Sequence, residues 1–200
     1  MKKVSRLLAT LLFLVTAAFG QTLTQADKEK AAKYLDETRD GVVAATKGLS
    51  EAQMKFKPAP DRWSVAETLE HITLVEDALF QNVTSNVMKA PVGAPDRDTA
   101  KIDAMVLAMV SDRSHKKQAA PQFVPTGRWT PAETLEHFDR SRAKTIELLQ
   151  STPDLRAHAI DSPLGQQLDG YEWLLFMGAH SQRHTKQILE VKADPNFPKS

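Results

Sequence analysis

From Thr24 onward, apolar positions recur at three- and four-residue intervals. Ala31, Tyr34, Leu35, Thr38, Val42, Ala45 and Leu49 mark one face of a first long helix. Ser50 and Gln53 have the spacing of a short capping box, and Pro58 and Pro60 then force an irregular connection. Ser64 and Glu67 repeat the capping pattern. Val65, Leu69, Ile72, Val75 and Leu79 supply the apolar stripe of a second helix reaching about Met88. Pro91, Gly93 and Pro95 end that pattern. The segment IDAMVLAMV predicts a short crossover helix, followed by a linker from Pro121 to Gly127. Thr130, Pro131 and Glu133 combine a cap, a proline at the first helical position and an acid at the third. They open a third long helix with Leu135, Phe138, Ile146 and Leu149 inward. After a turn-rich stretch from Pro153 to Gly170, a last helix runs from about Tyr171 to Val191 and stops before DPNFP.

Four long helices and no strand predict an all-α fold, a four-helix bundle. The crossover between the second and third helices is long enough for those two to run parallel, which gives an up-down-down-up order. RWSVAETLEH at Arg62–His71 and RWTPAETLEH at Arg128–His137 match at a constant offset of 66 positions. The similarity fades after the histidine, so it reads as one capping solution used at two helix starts rather than as a repeat architecture.

The N-terminus changes the picture. Lys2, Lys3 and Arg6 precede an apolar run from Leu7 to Phe19 and then small residues, the layout of a secretory leader over residues 1–20. The run is shorter than the roughly 20 residues of a membrane-spanning helix. The expectation is an exported protein, periplasmic or secreted, with no membrane span once the leader is cleaved. Losing three basic side chains takes the formal charge from +1 to about −2. So balanced a surface lacks the basic stripe that nucleic acid requires. Residues 21–200 suit one domain whose core needs no disulfide. With no cysteine in the chain, any metal site must draw on His, Asp, Glu or water.

Those constraints turn attention to the histidines. His180 and His184 lie one turn apart on the same face of the last helix, within the stripe Trp173, Met177, His180, His184, Ile188 and Val191. Two inward imidazoles each need a partner, and one metal ion satisfies both; ordinary hydrogen bonds to backbone or carboxylates are the rival account. The pair lacks the glutamate of the His-Glu-x-x-His peptidase motif, which argues against that chemistry. A third ligand must come from another helix. His71 and His137 occupy the same register of the second and third helices, and spacing alone does not choose between them. His115 and His158 fall in connections and read as solvent-exposed.

RWSVAETLEHI, PTGRWTPAETLEHFDRSRAKTIELL and SPLGQQLDGYEWLLFMGAHSQRHTKQILEVK together resemble the DinB-like superfamily of four-helix metal-binding proteins, including bacillithiol-transferase-like members. The likeness runs from about Tyr34 to Val191. It implies an up-down-down-up bundle and a divalent metal, zinc or nickel foremost, held by His71, His180 and His184. Better characterised relatives are thiol-dependent transferases and isomerases that use small thiols such as bacillithiol or mycothiol. The leader peptide departs from the cytosolic setting of those enzymes.

Three neutral imidazoles leave a coordination position open for water or a thiolate, so a metal-dependent hydrolase or thiol-dependent transferase is one reading. The other is a non-catalytic, stress-associated envelope protein whose ion stabilises the fold. A small-molecule substrate and a homodimer are the partners compatible with this pattern. Glu67, one turn before His71, is positioned to orient that ring or to close the capping box with Ser64. Arg142 and Arg183 read as solvated or salt-bridged surface residues with some capacity to attract an anion. Trp63, Trp129 and Trp173 read as staples at helix starts.

Overall fold

The computed structural model describes residues 23–199, so the expected leader lies outside the described residues. The order is α1 (Gln25–Thr46), α2 (Glu51–Lys55), α3 (Val65–Ser85), α4 (Thr99–Ser111), α5 (Pro131–Ser151), β1 (Ala159–Asp161), β2 (Gln167–Asp169) and α6 (Gly170–Lys192). The helix starts follow local side-chain chemistry. Reciprocal capping boxes open five helices: Thr24–Asp27, Ser50–Gln53, Ser64–Glu67, Thr130–Glu133 and Asp169–Glu172. Asp98 alone caps α4.

Contacts between side chains fix the direction of each long helix. The Tyr171 hydroxyl bonds the Asp27 carbonyl and Lys192 bonds the Ala45 carbonyl, so α1 and α6 run parallel. Lys28 reaches the Gln150 carbonyl and Arg142 that of Leu35, so α1 and α5 run antiparallel. Thr73 reaches the Thr134 carbonyl and Ser141 bonds Asp77 further along both helices, so α3 and α5 run parallel. The chain therefore goes up, down, down, up. Around the bundle the order is α1, α6, α3, α5, with α5 diagonal to α6.

One apolar cluster, with Leu35, Val83, Leu149 and Leu174, fills the end where α6 begins. A second, with Val42, Leu69, Phe138 and Ile188, fills the opposite end. Between them lies a buried polar layer. Arg142 is fully buried, against expectation, and all five of its donors are used. Nε and Nη2 donate to Glu76 at 2.7 and 2.9 Å, Nη1 to the Leu35 carbonyl and Thr38, and Nη2 also to Ser181. The physical reason is register: position 142 falls four residues after Phe138 and seven before Leu149, on the inward stripe.

The turn-rich stretch from 153 to 170 holds an antiparallel hairpin, pairing Ala159 with Asp169 and Asp161 with Gln167. This corrects the expectation of no strand. Its arms have three residues each, too short to show a period, while the turn at Gly165 (φ 74°) was visible as SPLG. His158 is half-buried and bonds the Ala90 carbonyl at 2.6 Å, unlike the exposed position expected; His115 is exposed. Arg97 of the crossover pairs with the buried Asp169 and Glu172, and Arg156 joins the same two acids to Asp103 of α4, tying the crossover to the start of α6. No described helix is long and apolar enough to cross a membrane.

Candidate metal centre

Because α3 and α6 are antiparallel neighbours, the second turn of α3 meets the middle of α6. His71 therefore faces His180 and His184, and one nitrogen from each ring lies within 4.8 Å of the others. The Nε2 atoms of His71 and His180 are 3.2 Å apart. Metal–nitrogen bonds of about 2.0–2.1 Å at tetrahedral angles place two ligand nitrogens about 3.3 Å apart, so this edge already has the required length.

His137 does not join them. Helix α5 is diagonal to α6, and His137 turns instead to Asp77, with Nε2 2.9 Å from the carboxylate. The echoed motif is nevertheless repeated in three dimensions. Trp63 packs on His71 with ring centroids 4.8 Å apart, and Trp129 on His137 at 4.7 Å. These two tryptophans staple histidines rather than an apolar core. Trp173 is buried and packs against Phe176.

Polar groups around the cluster hold two rings in one tautomer. His71 Nδ1 lies 2.8 Å from the Phe123 carbonyl, which only accepts, so Nδ1 carries the proton and Nε2 presents its lone pair. His184 Nδ1 lies 2.9 Å from Gln187 Oε1. Arg113 donates to that same oxygen at 3.1 Å, which identifies it as the acceptor; His184 Nδ1 must then donate. This leaves Nε2 of His184 unprotonated as well. A ring N–H held by carbonyl or amide oxygen is the usual support of a metal-binding imidazole.

Burial keeps all three rings neutral. It lowers the pKa of His71, partly opposed by the bond to Phe123. Burial pushes His180 well below its ordinary value, with further lowering from His184 and His71. It brings His184 down to about 3. Three neutral nitrogen donors, with no thiolate in the chain, suit a borderline divalent cation. Among the described residues no fourth His, Asp or Glu belongs to the group.

Glu67 closes the capping box with Ser64 and pairs with Lys57, so it performs the helix-start role and does not orient His71. The neighbouring Glu70 was not singled out in the sequence. Its carboxylate accepts from the backbone N–H of Thr126 and Gly127 at 3.0 and 2.8 Å and pairs with Arg128. Glu70 and His71 together strap the 121–127 linker across the site. Gly127 has φ 71°, a conformation that favours glycine. Phe123 was beyond sequence reasoning because its contribution is a carbonyl. Gln187 had a signal: it lies one turn after His184 on the same face. Arg183 is buried, again contrary to the surface reading, with 5% of its area exposed.

Fold and cluster together define a class: an up-down-down-up helical bundle with three inward histidines on two antiparallel helices. Residues 34–188 match the DinB superfamily, and the chain belongs to it. It is similar to the uncharacterized protein YuaE of Bacillus subtilis (strain 168), 24% identical over 148 residues that cover 73% of this chain and 87% of that one. Two solved structures share the fold. YfiT from Bacillus subtilis, described as "a probable metal-dependent hydrolase with an unusual four-helix bundle topology", aligns with a TM-score of 0.55 at 14% identity, over 89% of this chain and 93% of its own. The four-helix bundle protein TT2238 aligns with a TM-score of 0.51 at 17% identity, over 82% and 98%.

Proposed function

We propose that this protein binds one divalent metal ion through His71, His180 and His184 and uses it in a hydrolytic or thiol-transfer reaction on a small molecule. The observation that carries this reading is the convergence of three neutral imidazoles, two with fixed tautomers, at a point where no fourth ligand arrives among the described residues. An incomplete protein shell is what distinguishes catalytic from structural sites of this kind. Of the three, His180 is the residue that is not fully buried. The description of the similarly folded YfiT as a probable metal-dependent hydrolase points the same way.

When bound, the ion would supply Lewis acidity, lowering the pKa of a water or thiol in the open position. The chain's own residues set the conditions for that chemistry. Phe123 and Gln187 hold two rings with their lone pairs toward the ion. The 121–127 strap and Trp63 cover His71 and restrict water on that side. The N-terminal leader pattern supports placing this activity outside the cytoplasm.

Elemental analysis of the purified protein tests the site. The expected result is one equivalent of a transition metal in the unaltered chain, lost in both His180→Ala and His184→Ala. Full retention in both variants would overturn the assignment. Catalysis is tested by chelator-sensitive turnover of small esters, amides and thiol-reactive electrophiles. Metal binding without turnover would leave the stabilising, stress-associated role instead.

A further inference from the structure

Arg183 and Arg142 are both buried guanidinium groups, but the protein treats them differently. Arg142 has a partner for every donor. Arg183 has one protein partner among the described residues, the His115 carbonyl, which Nη2 reaches at 2.8 Å. Its Nη1 is buried with no hydrogen-bond partner among the described residues. A guanidinium nitrogen shut away from both water and protein is rare in a folded chain and calls for an explanation.

Position narrows the explanation. Arg183 lies one turn after His180 on α6, and its charge is felt by both His180 and His184. Nearby carboxylates are already engaged: Glu190 accepts from Arg113 at 3.1 and 2.6 Å and lies 3.8 Å from Arg62, while Asp112 accepts from Ser114. Arg113 and Arg183 both bear on His184, and Glu190, shared between Arg113 and Arg62, leaves Arg183 without a carboxylate partner of its own among the described residues.

Building on the metal-site reading, we propose that Arg183 anchors an oxyanion, so that the substrate of this site carries a carboxylate or phosphate group beside its reacting end. A planar guanidinium offers paired N–H donors that match either group. The ion and the open Nη1 would then hold two ends of one small anionic molecule.

The test is calorimetric titration of zinc-loaded protein with inorganic phosphate and, separately, acetate, with metal content and thermal melting measured on every sample. Arg183→Gln and Arg183→Lys should keep their zinc. Arg183→Gln should bind the preferred anion at least about tenfold more weakly, and Arg183→Lys should fall between. The stronger of the two titrants identifies the class of anion. Arg183→Gln should also melt no lower than the unaltered protein, whereas a purely structural arginine would lower the melting temperature when removed. Equal affinity in the unaltered protein and Arg183→Gln, or no binding of either anion, overturns the proposal. Failure to take up zinc would overturn the metal reading itself and this anchor with it, and the metal analysis separates the two failures.

Discussion

Arg142 and Glu76 form a two-pronged ion pair in the middle of the bundle, with 0% and 1% of their side-chain areas exposed. Taking either charge away leaves the other stranded where no water can reach it. Arg142→Met should therefore destabilise the fold by roughly 3–5 kcal/mol, and Glu76→Leu by a similar amount. The double variant should recover most of that loss, because no charge then remains buried. Urea unfolding of the three variants checks this; losses that simply add would show that the pair acts as two independent contacts.

Metal-free protein should weaken in acid through His184. Its folded pKa of about 3 lies below the ordinary 6.5, so between those values the unfolded chain takes up a proton that the folded chain does not. Stability from this residue is complete above about pH 6.5 and declines as the pH falls toward 3, by on the order of 5 kcal/mol in total. Denaturant melts from pH 7 to pH 4 should show a shallower decline in His184→Gln than in the unaltered chain. Equal slopes would rule the residue out as the source.

Gln187 should matter for metal without touching it. Gln187→Ala removes the acceptor of the His184 Nδ1 proton, and metal affinity should fall by about 10–100-fold. Gln187→Glu, which keeps an acceptor at that position, should restore it. Competition against a chromogenic chelator gives the numbers; unchanged affinity in Gln187→Ala would mean that the ring needs no such support.

Four long helices were legible because their starts are written in short-range chemistry: Ser64 with Glu67 and Thr130 with Glu133 announce themselves at fixed spacing. The pairing of His180 with His184 was legible for the same reason, since one turn of helix brings them together. His71 and His137 could not be separated by residue pattern, because they end the same ten-residue motif. What separates them is the position of each helix around the bundle, with α3 beside α6 and α5 diagonal to it. Arg142 was misread because its charge outweighed its register, and the matching inward acid, Glu76, sits on another helix. The hairpin arms at 159–161 and 167–169 were too short to carry a period.

Gly178 makes room for the Tyr34 ring where α6 packs on α1. A Cβ at this position would lie 2.7 and 2.9 Å from two carbons of the Tyr34 ring. Gly178→Ala should cost about 1–3 kcal/mol from overpacking, exceeding the ~1 kcal/mol that alanine gains over glycine inside a helix. In a Tyr34→Ala background the clash disappears and the same substitution should become stabilising. Thermal melts of the four proteins check the reversal of sign.

His71 and His180 are 109 positions apart in the chain, and the whole crossover and α5 lie between them. A cation that needs both rings cannot be captured by a growing polypeptide until the final helix has been made and has docked. Any ion held there would thus act as a late latch on the finished bundle, arriving last and leaving first when α6 peels away.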